Sequence, residues 1–229
     1  ARFDTLAAIM TMIADNLQRV RARLEEACRA CGRDPSAVTL LAVSKTFDAT
    51  AVREAHAAGQ TAFGENYIQE AVDKMAALAD LPLAWHCIGP IQSNKTRLVA
   101  EHFDWAHTVD RLKIAQRLSD QRPAHRAPLQ VCLQVNIDGG PTKSGVAPSE
   151  ALVLAREVAQ LPNLVLRGLM TIPEPAPDFA AALAVHRQAR ALFDQLCAAG
   201  LALDTLSMGM TADLEAAIHA GSTMLRVGT

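Results

Sequence analysis

No stretch of this chain approaches the roughly eighteen consecutive apolar residues that a membrane-spanning helix needs. No block of lysine or arginine occurs, and 22 basic against 24 acidic residues leave a formal net charge of −2. That balance excludes the basic stripe with which proteins hold nucleic acid. The start of the chain lacks the marks of a secretory leader. Asp4 and Asp15 interrupt its apolar positions, and no small-residue cleavage site follows. Cysteine is sparse and odd in number, five in 229 residues, so a reducing cytoplasm is expected rather than a disulfide framework. Cys28 and Cys31 precede Gly32 with no second cysteine pair to complete a zinc site, and neither a metal nor a redox role is expected of them. A G-x-G-x-x-G run after the first strand is also missing, which counts against a doubly wound nucleotide-binding sheet.

What is present suits one large core, because half of the residues are hydrophobic. Leu6, Ile9, Ile13, Leu17, Val20, Leu24 and Cys28 recur at helical spacing and predict a long amphipathic helix over 5–31. Short apolar runs then alternate with helical patterns. Strands are expected at 40–46, 62–66, 83–89, 103–109, 129–137, 166–172, 203–208 and 224–227, with 129–137 the longest. Ser93 and Asp110 are candidate caps for the helices that follow them, and a helix is expected from about 211 to 221. Eight strands alternating with helices imply parallel pairing, and the length is that of a single (β/α)8 TIM barrel with an extra N-terminal helix, one domain over 1–229.

Active sites in such barrels lie at the C-terminal ends of the strands. Lys45 ends the first strand and Asn66 the second. A lysine at the end of a buried strand is either desolvated, and so a nucleophile able to form a Schiff base, or turned outward on its flexible stem. The stretch alone weighs the two equally. The seventh and eighth strands end in Ser207-Met208-Gly209-Met210-Thr211 and Arg226-Val227-Gly228-Thr229. Gly209 and Gly228 admit an anion close to the backbone, Ser207 and Thr229 offer hydroxyls, and the helix after Thr211 is expected to aim its N-terminus at the same place. This predicts a phosphate cradle facing Lys45 across the barrel mouth. A lysine with such a cradle suits pyridoxal 5′-phosphate (PLP) or a sugar phosphate in a Schiff-base aldolase. Arg226 shares the inward face with Gly228 and can reach the far side of a flat ring. No second lysine or carboxylate cluster is expected near Lys45, which counts against the aldolase.

Several motifs resemble the YggS/PROSC family of pyridoxal phosphate homeostasis proteins: Leu41-Ala-Val-Ser-Lys-Thr46, Phe63-Gly-Glu-Asn-Tyr67, Trp85 to Lys95, Gly168-Leu-Met170, Ser207 to Met210, Gly221-Ser-Thr-Met224 and Arg226 to Thr229. The resemblance runs from the first helix to the last residue. It implies a barrel like the N-terminal domain of alanine racemase, the PLP fold of type III. It implies Lys45 as the Schiff-base lysine, Ser207, Gly228 and Thr229 at the phosphate, with Gly209 in the same loop, and Arg226 against the pyridine nitrogen. Asn66 would line the pocket, with His86 and Met208 nearby. An arginine against that nitrogen disfavours its protonation and weakens the ring as an electron sink. The resemblance therefore implies cofactor homeostasis without established turnover, with PLP-dependent apo-enzymes as partners and a monomer as the working form; an amino-acid racemase is the alternative. Tyr67, the single tyrosine, is expected to pack rather than serve as a base. The loop 138–145 carries Lys143-Ser-Gly145 as the family does, but its Gly139-Gly-Pro141 run lacks an acidic residue.

Overall fold

The computed structural model describes the backbone of residues 2–140 and 144–228, with side chains from residue 12 onward. Eight parallel strands close into a barrel in sequence order: β1 (Thr39–Val43), β2 (Ala62–Glu65), β3 (Ala84–Cys87), β4 (Trp105–Val109), β5 (Leu129–Gln134), β6 (Leu164–Met170), β7 (Thr205–Ser207) and β8 (Met224–Val227). The closing pair is β1 with β8, in the register Leu41 opposite Arg226. Helix α1 (Arg2–Ala30) precedes the barrel. Helices α2 (Ala49–Ala57), α3 (Ile68–Ala77), α4 (Thr96–His102), α5 (Leu112–Gln121), α6 (Ala151–Ala159), α7 (Phe179–Ala198) and α8 (Leu214–Ala220) follow successive strands from β1 to β7. This is the expected alternation, and each crossover lays an apolar helix face on the outer wall.

The alternating faces of the strands divide the core in two. Leu41, Ile88, Trp105, Cys132, Met170 and Met224 fill the inside of the barrel. The larger cluster, including Phe63, Val99, Phe103, Leu118, Leu133, Leu169 and Leu206, lies between wall and helices. Leu24, Ala27 and Cys28 of α1 are buried in it. Arg23 holds α1 to α8 through both oxygens of Glu215, at 2.8 and 2.9 Å, and Arg33 donates to the Ile218 carbonyl.

Boundaries differ from expectation where tertiary pairing decides them. β5 stops at Gln134, and Val135 beyond it forms an isolated bridge to Val146 while its N–H still donates to the Met170 carbonyl at 2.9 Å; β6, with seven residues, is longer. Ser93 opens a 3₁₀ turn (Ser93–Lys95) before α4 instead of capping it. Asp110 does not cap α5; its carboxylate accepts Gly145 N–H at 3.0 Å and ties the long β5–α6 loop to the end of β4. α8 starts at Leu214 and has seven residues. Among the described residues, no helix is long and apolar enough to cross a membrane.

Candidate functional site

Both sequence-predicted loops lie at the C-terminal ends of adjacent strands, β7 and β8. Gly209 takes φ +102°, and a Cβ there would collide with Ala217 and Leu225, so only glycine fits. Its carbonyl accepts Arg226 N–H at 2.9 Å, which seals the two loops together. A Cβ at Gly228 would meet nothing within 4 Å, so the backbone there is open to an approaching group. Thr211 donates its hydroxyl to the Gly228 carbonyl at 3.2 Å. Thr211 is thus a hydroxyl at the cradle that the sequence reading left out; its spacing from Gly209 was the available signal. The helix-dipole argument fails, because α8 is short and Asp213 stands at its start, accepting Met210 N–H and binding His186 Nε2 at 2.7 Å each. That partnership, with His186 and the Met210 N–H outweighing the upward pull of burial, holds the Asp213 carboxyl below its usual range. Thr229 and Lys143 lie outside the described residues.

Arg226 points into the barrel, as strand alternation requires. It is 3% exposed; Nη1 donates to Ser207 Oγ at 2.7 Å and Nη2 to the Thr171 carbonyl at 2.8 Å. Burial lowers its pKa to about 10, against a raising influence from Asp213, so the guanidinium stays charged at neutral pH. Ser207 is therefore not a loose phosphate donor. Arginine only donates, so the Ser207 hydroxyl accepts from Arg226 and gives its own proton to His107 Nδ1 at 2.9 Å. His107 then carries its proton on Nε2 and donates to His86 Nδ1, also at 2.9 Å. The tautomers follow from satisfying this network. Burial lowers His86 to about 3 and, with His86 and Arg226 adding to it, lowers His107 well below the ordinary histidine range. A chain of directed hydrogen bonds thus crosses the barrel interior from the charged Arg226 through Ser207 to the neutral His107 and His86, which stacks on Trp105 with ring centres 5.1 Å apart. His107 was missed in the sequence. The inward face it shares with Trp105 on β4 was the signal.

Lys45 lies just past β1, beside β8 rather than across the mouth from it. The residue is exposed rather than buried, and its ammonium has no hydrogen-bond partner among the described residues. Desolvation by a buried strand end, one of the two expectations, is not what this chain does. Tyr67 is also corrected, being 55% exposed ahead of α3 rather than packed. A lysine–carboxylate cluster does stand next to Lys45, contrary to expectation: buried Lys74 on α3 donates to Glu65 Oε1 at 2.6 Å and reaches Glu70 Oε1 at 3.3 Å. The Met208 side chain is fully buried between wall and helices, which leaves only its backbone near the cradle.

Of six buried side-chain polar atoms without a partner among the described residues, three lie one or two residues past a strand end: Asn66 Oδ1 after β2, Asn136 Oδ1 after β5 and Thr171 Oγ1 after β6. Buried polar groups in folded proteins are nearly always paired, so this convergence marks a place for a polar ligand. A cavity of about 220 Å³ lies past the strand ends, lined by Ile88, Pro90, Thr108, Gln134, Ser144 and Ile172, the last of them next to Thr171 in the chain. A second hollow of about 310 Å³ lies outside the barrel, between α1 and the apolar wall of Leu40, Ala42 and Val227. Ser44, Thr211 and Gly228 also line this hollow, so it reaches the β1 and β8 rim; the orphaned polar atoms follow the strand C-termini, and we place the site at the mouth. Arg226 strengthens the placement, as a buried cation with no carboxylate at ion-pair distance among the described residues.

A closed eight-stranded barrel with this mouth defines a class, the alanine racemase N-terminal domain, whose family profile matches residues 15–229. Alanine racemase of Clostridium difficile shares the fold with a TM-score of 0.74 at 15% identity, over 93% of this chain and 55% of that one. Within that class the chain belongs to the pyridoxal phosphate homeostasis protein family. The Pseudomonas aeruginosa member is 63% identical over 220 residues, 96% of this chain and 94% of the relative. The Escherichia coli K12 member is 54% identical over 96% of this chain and 95% of its own. PipY of Synechococcus elongatus, solved with PLP bound, superposes with a TM-score of 0.83 at 39% identity, over 94% of this chain and 97% of that one.

Proposed function

We propose that this chain binds pyridoxal 5′-phosphate at the barrel mouth, holds it as a Schiff base on Lys45, and serves PLP homeostasis rather than turnover. The observation that carries the reading is the PLP-bound structure of PipY, together with the likeness of this chain to relatives named pyridoxal phosphate homeostasis protein. The residues here fit the group. Lys45 offers an exposed amine just past β1, unengaged among the described residues. The loops after β7 and β8 offer open backbone at Gly228 with the Thr211 hydroxyl beside it, and Met208, Gly209 and Thr229 would complete a phosphate cradle next to that lysine. Arg226 presents a fixed cation to a ring nitrogen, held in place by Ser207, His107 and His86. Asn66 brings an unsatisfied oxygen. When bound, the cofactor supplies an aldehyde for amine capture and a ring that can delocalise charge. A permanently charged guanidinium at the ring nitrogen withholds the proton that would make that ring a strong electron sink. In this reading residues 1–229 form one PLP-binding domain, working as a cytoplasmic monomer that delivers cofactor to apo-enzymes.

The test begins with the visible spectrum of protein incubated with PLP, before and after borohydride. A band that borohydride bleaches, together with no loss of α-deuterium from a panel of amino acids, is the expected result. Deuterium loss at enzyme-like rates would favour the racemase reading instead. A colourless protein with no retained PLP would end the proposal.

A further inference from the structure

The two peptide groups on either side of Lys45 are held by one buried ionic cluster. The Ser44 carbonyl accepts from Lys74 Nζ at 2.8 Å, and Thr46 N–H donates to Glu70 Oε1 at 2.8 Å. The same Nζ binds Glu65 Oε1 at 2.6 Å and Glu70 Oε1 at 3.3 Å, and Ser44 Oγ also donates to Glu65 Oε1, at 2.9 Å. Thr46 sits at φ +68°, a left-handed conformation that a β-branched residue seldom adopts and that persists only where its surroundings impose it. The Glu70 bond to its N–H is such an imposition. Glu65 and Lys74 are both buried, with side chains 0% and 4% exposed. Taking an ammonium and a carboxylate out of water is costly, and a leucine–methionine pair would fill the same space without that cost. All three of the Lys74 donors are directed to the cluster or to the Ser44 carbonyl.

We infer that Lys74, with Glu65 and Glu70, is a positioning device for Lys45: it fixes the backbone of the 44–46 segment so that the Lys45 amine reaches a bound aldehyde by side-chain rotation alone. This rests on the proposed Schiff base at Lys45 and names the residues that prepare it. The clamp touches the cofactor nowhere. It acts on the frequency with which the amine attacks, because a misplaced nucleophile loses rate steeply with distance. Loosening the segment therefore slows condensation and spares recognition of phosphate and ring, which depends on the β7 and β8 loops.

Two ligands separate these effects. PLP condenses with Lys45; pyridoxine 5′-phosphate, an alcohol at the same carbon, can only dock. Glu70 is half-buried, and Glu70→Ala removes the Thr46 anchor without leaving a charge stranded in the core. Its condensation rate with PLP, followed by the growth of the visible band, should fall about tenfold, the scale set by small misplacements of a nucleophile. Its affinity for pyridoxine 5′-phosphate should remain that of the wild type, and Glu70→Gln, which keeps an acceptor oxygen for Thr46 N–H, should recover most of the rate. Lys74→Met should show the same split more strongly; if that variant does not fold, the Glu70 pair decides. An unchanged rate in Glu70→Ala, or equal loss for both ligands, would overturn the clamp while leaving the Lys45 linkage standing. A wild type that condenses with PLP at some other lysine would instead remove the binding reading on which the clamp rests.

Discussion

At the scale of single residues, the interior histidines link the site to stability. His86 and His107 are neutral in the fold because burial penalises their charged forms, and their hydrogen-bond chain needs one unprotonated nitrogen on each ring. Both folded values lie below the unfolded value of about 6.5. The unfolded chain therefore binds more protons in the window between, so stability holds above pH 6.5 and is lost as pH falls toward 3. The loss should be roughly 1 kcal/mol per pH unit for each histidine. Urea unfolding at pH 7, 6 and 5 measures it, and a His107→Asn variant should show a shallower dependence than the wild type. A flat profile for the wild type would contradict neutral burial. Arg226 is the second residue-scale case. Arg226→Lys keeps the charge but gives up the fork that grips Ser207 and the Thr171 carbonyl together. The expected outcome is weaker retention of PLP, by about tenfold if one charged hydrogen bond is lost, read by equilibrium dialysis. Arg226 was legible in the sequence because it stands two residues before Gly228 on one strand. The Lys74 cluster was not, because Ser44, Glu65, Glu70 and Lys74 come from two strand ends and a helix that only the closed barrel brings together.

The elements show where sequence pattern governs and where pairing overrides it. Short apolar runs alternating with helical patterns placed all eight strands, since a strand buried on both faces must be apolar along its length. Their ends were less legible. Val135 and Ile137 continue the apolar pattern of β5, yet the strand stops at Gln134, and beyond it the loop from Asp138 folds back and pairs Val146 with Val135. β6 shows the reverse case, where a glycine is part of the strand. A Cβ at Gly168 would overlap the Thr205 carbonyl and backbone, so β6 and β7 approach at a distance only glycine allows. Gly168→Ala should force these strands apart and cost about 2 kcal/mol or more, the scale of an overpacked core. The urea midpoint reads this directly, and a wild-type midpoint would show that the β6–β7 approach is looser than the geometry states. Because Ser207 ends β7, the variant should also weaken PLP retention, which couples the element to the site.

The whole molecule is a closed wall with its chemistry gathered at one rim. The barrel supplies what no single element could: an arginine fixed from inside, a glycine-lined cradle on the last two strands, and a lysine on the neighbouring first strand, adjacent because β1 closes on β8. That adjacency, rather than the depth of the lysine, makes the arrangement suitable for a flat phosphorylated aldehyde. Lys45 is exposed, so its reactivity rests on proximity to the cradle and on the stability of the linkage, not on a desolvated amine. The measurement that tests this most directly is peptide mass mapping after borohydride reduction of the PLP-loaded protein. The account predicts a single pyridoxyl phosphate modification, on Lys45, which vanishes in a Lys45→Ala variant that retains the thermal stability of the wild type. Modification of Lys74 or Lys95 instead, or an unmodified Lys45 in protein that still retains PLP, would contradict it.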